Sequence, residues 1–195
     1  MIEAPAILLH IAAQFVHPDA CKGAITDIHL KSMHNGMRIA ATDGHFAFRC
    51  LVPFGPLCFM QLPEALIPAK TFKKKVAYAQ KAIINNGESR FYGGKKEGVM
   101  DLLEARPCVG DNRDEFPSHF DSLWPDPASM ANAPAKPVVL NSEYMRTICD
   151  ISAKLADSVN IKVRMGESPT SPLLLTTSLG DTELQFLLLP VMVRD

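Results

Sequence analysis

The segment Ala41-Thr42-Asp43-Gly44-His45 places a carboxylate and an imidazole two residues apart. In an enzyme, Asp43 could orient His45 as a general base. A hydrolase of this kind also needs a nucleophile in a recognisable setting such as Gly-x-Ser-x-Gly, and the sequence contains none. The segment lies between two strand-like stretches, Met37 to Asp43 and His45 to Val52. Asp43-Gly44 is therefore better interpreted as a tight turn whose glycine adopts a positive φ. We therefore expect this Asp-His pair to be structural and not catalytic.

The histidines, cysteines and glycines show no spacing typical of a metal or phosphate site. The six histidines form neither His-x-x-x-His nor His-Glu-x-x-His, and the five cysteines form no Cys-x-x-Cys pair. Gly93-Gly94-Lys95-Lys96 lacks the first glycine and the Ser or Thr of a phosphate-binding loop, so it is interpreted as a basic hairpin turn. We expect no metal, no cofactor, and free, mostly buried thiols.

Lysines concentrate on a helix predicted to begin at Pro68, whose apolar face is formed by Phe72, Val76, Ala79 and Ile83. Lysines on an exposed helix face can contact DNA phosphates without reading bases, although a solubilising surface has the same composition. The formal net charge of −1 means that DNA contact must come from such local clusters. The candidate DNA-binding residues are Lys70, Lys73, Lys74, Lys81 and, on a later helix, Arg146.

The elements that position these residues recur in one order, a helix followed by extended segments, three times at a spacing of about 60 to 65 residues. The copies cover residues 4–56, 62–125 and 137–195. Pro5 is well placed to begin the first helix, and Asn141 is a candidate N-cap for the third. The apolar stripe of the third helix is formed by Tyr144, Ile148, Ile151 and Leu155. Asn35-Gly36 predicts a hairpin that uses positive φ angles.

Proline-rich sequence without helical or strand periodicity connects the second and third copies. We therefore predict a two-module domain over residues 1–125, a linker over 126–136 and a third module over 137–195. Hydrophobic residues make up 47% and charged residues 21%, and no apolar run approaches the length of about 20 residues that spans a membrane. No signal-peptide pattern is present at the N-terminus, so we expect a soluble cytoplasmic protein with no membrane partner.

The chain ends in an unusually apolar run, from Leu187 to Val193. It can pack as a last strand with a tail against a groove, or it can form part of a peptide-binding surface. The residue pattern by itself leaves both interpretations open.

Three segments together resemble the bacterial DNA sliding clamp family, whose members are DNA polymerase III beta subunits. They are Gly36 to His45, then Glu115-Phe116-Pro117 with Leu123-Trp124-Pro125, and finally Leu189-Pro190-Val191-Met192. The resemblance implies an α+β DNA clamp fold made of three repeated modules, each one helix plus a small antiparallel sheet. Helices would line a central hole, and sheets would form its outside.

By the same resemblance, the function implied is a DNA polymerase processivity factor that is not an enzyme. It would encircle duplex DNA as an oligomer and dock peptides of the polymerase and clamp loader. Phe46 stands where the family usually has arginine, and Leu189 where it has methionine, so the peptide pocket has a different shape or partner. The residues carried over to this pocket are Thr42, Gly44, His45, Phe46, Pro117, Leu189, Pro190, Val191 and Met192.

Three modules are a quarter of those in a family ring, which suggests a homotetramer, with a dimer as the other possibility. The alternative function is a clamp-like regulatory or decoy module that binds clamp-interacting peptides without encircling DNA.

Overall fold

Two α-helices, three short 3₁₀ segments and twelve β-strands make up the regular structure of the described residues, which gives the predicted α+β class. A computed structural model describes residues 1–17, 25–56, 58–72, 79–85, 88–95, 99–107, 116–117, 119–125, 130, 138–155, 160–166, 168 and 170–190. The chain divides into a first unit, residues 1–43 and 51–117, and a second unit, residues 44–50 and 118–195.

The elements follow one another along the chain in this order: β1 (Ile2–Pro5), α1 (Ala6–Ala12), β2 (Asp27–Met33), β3 (Gly36–Thr42), β4 (Phe46–Pro53), β5 (Phe59–Met60), β6 (Glu64–Pro68), β7 (Ala79–Asn85), β8 (Glu88–Lys95), β9 (Val99–Pro107), α2 (Ser142–Leu155), β10 (Lys162–Met165), β11 (Leu173–Leu179) and β12 (Thr182–Leu188). The 3₁₀ segments are Ala13–Phe15, Ala69–Thr71 and Phe120–Leu123.

The first unit contains a five-stranded sheet in the order β5-β1-β7-β8-β9 and, separately, strands in the order β3-β2-β6. Helix α1 begins directly after Pro5, close to the predicted start, and five of its seven residues are buried. Leu9 and Ile11 have no exposed surface, and burying side chains of this size contributes about 1.5–3 kcal/mol each. Strand β1, which the sequence pattern did not predict, pairs antiparallel with both β5 and β7.

The helix predicted from Pro68 is wrong over its second half. The 3₁₀ segment Ala69–Thr71 follows Pro68, residues 73–78 lie outside the described residues, and Ala79–Asn85 is strand β7, flanked by β1 and β8. Buried Ala82 and Ile84 alternate with more exposed neighbours, a period of two that pairing on both sides of the strand stabilises over helical propensity. The second copy therefore shows no α-helix among the described residues, and the predicted three-module repeat is not confirmed.

The β2–β3 hairpin is confirmed, with Met33 opposite Gly36, but the predicted reason for the glycine is wrong. Gly36 does not adopt a positive φ. A Cβ atom there would lie 2.2 Å from the Val52 carbonyl oxygen, so the position needs glycine because another backbone approaches it closely.

The second unit contains strands in the order β10-β11-β12-β4, to which β4 contributes residues 46–50. Its core includes Phe48 and Phe186, whose ring centroids are 5.7 Å apart. The predicted N-cap of α2 is confirmed, since the Glu143 backbone N–H donates to Asn141 Oδ1 at 2.9 Å. The predicted apolar stripe of this helix buries Ile148 and Ile151.

Some of the predictions concern residues that the structure does not describe. The domain boundaries at 1–125, 126–136 and 137–195 stay a prediction, and of the linker only Met130 is described. Cys50 and Cys58 are buried thiols, Cys149 is an exposed thiol, and the other two cysteines lie outside the described residues. Neither described α-helix is both long and apolar enough to cross a membrane.

Candidate functional site

The turn between β3 and β4 is formed as predicted, with Gly44 at φ +94°. A Cβ atom on Gly44 would meet no atom within 4 Å, so the requirement for glycine there is conformational and not steric. Gly44 and the following His45 are both exposed at this turn.

The end of β12 lies beside this turn within the second unit. The Leu189 backbone N–H donates to the His45 carbonyl oxygen at 3.2 Å. One residue earlier, Leu188 is opposite Phe46 in the β12–β4 register. Leu189 is 36% exposed, and Pro190 is half-buried. The structure therefore brings Gly44, His45 and Phe46 together with Leu189, although the two segments are far apart in the sequence.

Phe46, which follows the turn, is buried and packs against α2. Its side chain is 6% exposed and stacks on Tyr144 of α2, with ring centroids 4.1 Å apart and an interplanar angle of 16°. Stacked aromatic pairs contribute about 0.5–1.5 kcal/mol beyond the burial of their surface. Tyr144 thus covers a face of the Phe46 ring, a contact that the sequence pattern did not identify because it only placed Tyr144 on the apolar stripe of α2.

A second cluster in the same unit holds β4 to β12. Arg49 Nε donates to Gln185 Oε1 at 2.7 Å, and the Arg49 guanidinium carbon lies 4.2 Å from the centre of the Trp124 ring. Gln185 in turn donates to Glu183. A cation over an indole contributes about 0.5–2 kcal/mol, depending on how far it is desolvated. This cluster keeps the strand that begins at the turn in a defined position.

The remaining residues of the predicted peptide pocket are placed elsewhere or are not described. Thr42 is buried at the end of β3, and Pro117 is half-buried; both belong to the first unit. Val191 and Met192 lie outside the described residues. The pocket as a whole stays a prediction.

The predicted DNA-binding residues differ in how available their charges are. Lys70 is exposed after β6, and Arg146 is exposed on α2. Lys81 does not lie on a helix, as predicted, but on β7, where its ammonium pairs with Glu3 at 2.5 Å and its side chain is 18% exposed. That carboxylate already compensates its charge. Lys73 and Lys74 lie outside the described residues.

A buried polar cluster in the first unit was not predicted. His29 on β2 is 2% exposed; its Nε2 lies 2.5 Å from Glu64 Oε1, and Arg38 Nη2 lies 3.3 Å from its Nδ1. Phe116 stacks on the imidazole, with centroids 4.2 Å apart. Burial lowers the pKa of His29, and Arg38 lowers it further, against the hydrogen bond to Glu64, which raises it. No local spacing reveals this cluster, because its members come from separate segments.

Among the described residues, no group of three or more His, Cys, Asp or Glu side chains is arranged to hold a metal ion. The imidazole of His29 faces Arg38, a cation, on one side. This arrangement does not favour metal coordination by His29.

No protein-family model and no curated protein matches the chain. Solved structures do match it. The DNA polymerase III beta subunit from Borrelia burgdorferi, in complex with a natural product, aligns with a TM-score of 0.67 at 10% identity, covering 99% of this chain and 63% of that one. The sliding clamp from Bartonella birtlesii bound to griselimycin has a TM-score of 0.66 at 15% identity, covering 98% and 65%.

The polymerase sliding clamp from Bacillus subtilis aligns with a TM-score of 0.62 at 15% identity over 99% of this chain and 64% of that one. The chain thus spans just under two thirds of the length of the structures it matches, while nearly all of the chain takes part. The resemblance noted in the sequence is confirmed at the level of the fold. The chain has the fold of bacterial DNA polymerase III beta sliding clamps.

Proposed function

We propose that the protein is a sliding-clamp-like processivity factor for a DNA polymerase, which encircles duplex DNA as an oligomer and docks peptides of its partners. The observation that carries the proposal is the match of 99% of the chain to sliding clamps. The hydrogen bond between Leu189 and His45 supports it, because these residues belong to two of the three segments that resemble the family. The proposed role is binding, without catalysis.

On the DNA side, the function requires weak contact with the phosphate backbone. Lys70 and Arg146 are exposed cations suited to this contact, and the predicted Lys73 and Lys74 would extend the surface. Helix α2 itself carries two acidic and two basic residues, which favours sliding over tight binding. Processivity would then come from topological tethering, which keeps the polymerase at a high effective concentration near its template.

On the partner side, the proposed peptide contacts are centred on the turn and the end of β12. Gly44 leaves room for an approaching chain, and Leu189 offers an exposed apolar side chain. Thr42, His45, Pro117, Pro190, Val191 and Met192 would complete the pocket. Because Phe46 stacks on Tyr144, it would shape the pocket floor and would not form the charged contact that the family's arginine offers.

The assembly is part of the proposal. The three modules per chain and the division 1–125, 126–136 and 137–195 are predictions from the sequence. If they hold, a cytoplasmic homotetramer is the simplest closed ring, and a dimer is the other candidate. Polymerase and clamp-loader peptides are the expected partners alongside duplex DNA.

Retention on DNA tests the encircling function directly. The protein should remain on nicked circular DNA after it is loaded and should be lost when the circle is linearised. Arg146→Glu should lower retention, whereas Arg164→Glu, the same charge change at an exposed residue of β10, should not. Retention that is indifferent to linearisation would refute encirclement.

Peptide docking is tested separately by fluorescence anisotropy with labelled peptides from the polymerase and clamp loader of the source organism. Leu189→Asp should weaken binding by about tenfold or more, because a charge in an apolar contact loses at least about 1.4 kcal/mol. Val163→Asp is the matched control, since Val163 is 52% exposed on β10, outside the proposed site. Equal effects of the two substitutions would remove Leu189 from the pocket.

The second candidate is a clamp-like module that captures partner peptides without a ring. The observation that favours it is Phe46, which stands where the family usually has arginine and whose stacking on Tyr144 gives the site its own shape. This function predicts a monomer or dimer by light scattering, with peptide affinity but no topological retention on DNA.

A further inference from the structure

The buried histidine of the first unit connects three strands and one later segment. His29 lies on β2, Arg38 on β3 and Glu64 on β6, and Phe116 stacks on the imidazole ring from outside these strands. Phe116 is itself only 8% exposed. The position of this phenylalanine therefore depends on where the imidazole is held.

The partners of the two ring nitrogens define the neutral form. Arg38 has only donors, so Nδ1 must accept its hydrogen bond, and Nε2–H then donates to the Glu64 carboxylate. Both nitrogens are satisfied, and the ring needs no water. A neutral imidazole with the proton on Nε2 is thus matched to its surroundings.

Protonation of the ring disrupts its contact with Arg38. A proton on Nδ1 would face the Arg38 guanidinium at the present separation of 3.3 Å, with two donors and two positive charges opposed. Lys31, also on β2, adds a further positive charge that disfavours the imidazolium. Glu64 attracts it, and with a side chain 29% exposed against 3% for His29, it is the partner nearer to solvent.

The imidazolium can relieve the conflict only by moving away from Arg38, towards Glu64 and water. When the imidazole moves, Phe116 loses the ring face on which it stacks. We propose that His29 is a pH-sensitive latch, which holds Phe116 in place while its ring is neutral and releases it when the ring is protonated. The latch does not require the proposed clamp function. If that function holds, the neighbouring Pro117 would make peptide docking depend on pH as well.

Nuclear magnetic resonance on protein labelled at histidine and phenylalanine tests the latch. At pH 8 the His29 and Phe116 rings should show a direct Overhauser contact, and Phe116 resonances should carry a ring-current shift. Below pH 6.5 both signals should fall with the same midpoint as the His29 titration, the ratio of protonated to neutral ring changing about tenfold per pH unit.

His29→Gln is the informative variant, because its amide can donate to Glu64 and accept from Arg38 but cannot be protonated. Its Phe116 resonances should not respond to pH. His34→Gln, at an exposed residue of the β2–β3 turn, should keep the wild-type response. Should His29→Gln fail to fold, Glu64→Gln serves instead, and it should move the transition to lower pH because it removes the carboxylate that favours the imidazolium.

Three results would overturn the proposal. Phe116 resonances could stay constant while His29 titrates, or the pH response could persist in full in His29→Gln. Alternatively, His29 could stay neutral in the folded protein from pH 8 down to pH 5, so that Phe116 would not be released anywhere in the pH range of the experiment.

Discussion

Replacing Gly44 by alanine isolates the conformational requirement of the turn beside the candidate site. At φ +94° an L-residue is strained, and such left-handed backbone costs about 1–2 kcal/mol. No steric penalty adds to this, because a Cβ atom there meets nothing within 4 Å. For a chain of 195 residues, the expected loss lowers the melting temperature by about 2–8 °C.

Two other glycines supply matched comparisons. Gly55 has open space for a Cβ and an ordinary φ, so Gly55→Ala should be neutral or stabilising by up to about 1 kcal/mol. Gly36 also has an ordinary φ, but a Cβ there lies 2.2 Å from the Val52 carbonyl oxygen. Gly36→Ala should therefore cost about 3 kcal/mol or more, since both backbones must shift.

Urea unfolding followed by circular dichroism measures all three variants. The fluorescence of Trp124, the only tryptophan, reports on the second unit, to which Gly44 belongs. From the most to the least stable, the expected order of the variants is Gly55→Ala, Gly44→Ala and Gly36→Ala. If Gly44→Ala were as stable as Gly55→Ala, the turn would not need its positive φ, and a loss equal to that of Gly36→Ala would point to a clash instead.

Three further predictions follow from single contacts. Asn141→Ala removes the side chain that accepts the Glu143 N–H and should lower the free energy of unfolding by about 1 kcal/mol. Urea unfolding measures this loss, with Asn35→Ala on the exposed hairpin turn as the control. Equal losses in the two variants would show that the cap does not stabilise the helix. Burial raises the pKa of the Cys58 thiol to about 11. At pH 8 a thiol reagent should therefore modify exposed Cys149 quickly and Cys58 only after unfolding. Peptide mass mapping measures the order of labelling, and early labelling of Cys58 would contradict its burial. The lowered pKa of His29 means that the folded state binds fewer protons than the unfolded state, so its stabilising effect is complete above about pH 6.5 and is lost as pH falls towards the lower folded-state pKa. Denaturant titrations should show that this fall is reduced in His29→Gln, and an unchanged pH profile would refute it.

The elements that sequence patterns predicted correctly are those with local determinants. Helix α2 begins after its capping residue Asn141 and follows the spacing of its buried isoleucines. The strands on either side of the Asp43-Gly44 turn are confirmed within one or two residues. The resemblance to sliding clamps, carried by short segments, is confirmed as the fold.

The helix predicted from Pro68 failed because the sequence supports two periodicities there. Phe72, Ala79 and Ile83 fit a helical face, but Ala82 and Ile84 alternate with exposed positions as in a strand. Pairing with β1 and β8 decides between them, since each pairing satisfies backbone groups on one edge of the strand. The consequence reaches function, because Lys81 becomes a strand residue paired with Glu3.

By itself, the sequence determined what depends on a few consecutive residues: a glycine where φ is positive at position 44, a helix cap at Asn141, and the absence of a hydrolase motif around His45. Only the tertiary structure decided which distant groups meet. The contact of Leu189 with His45, and the enclosure of His29 by Arg38 and Glu64, come from strand pairing between remote segments. Such pairings depend on the closure of long loops and on register, neither of which local periodicity encodes.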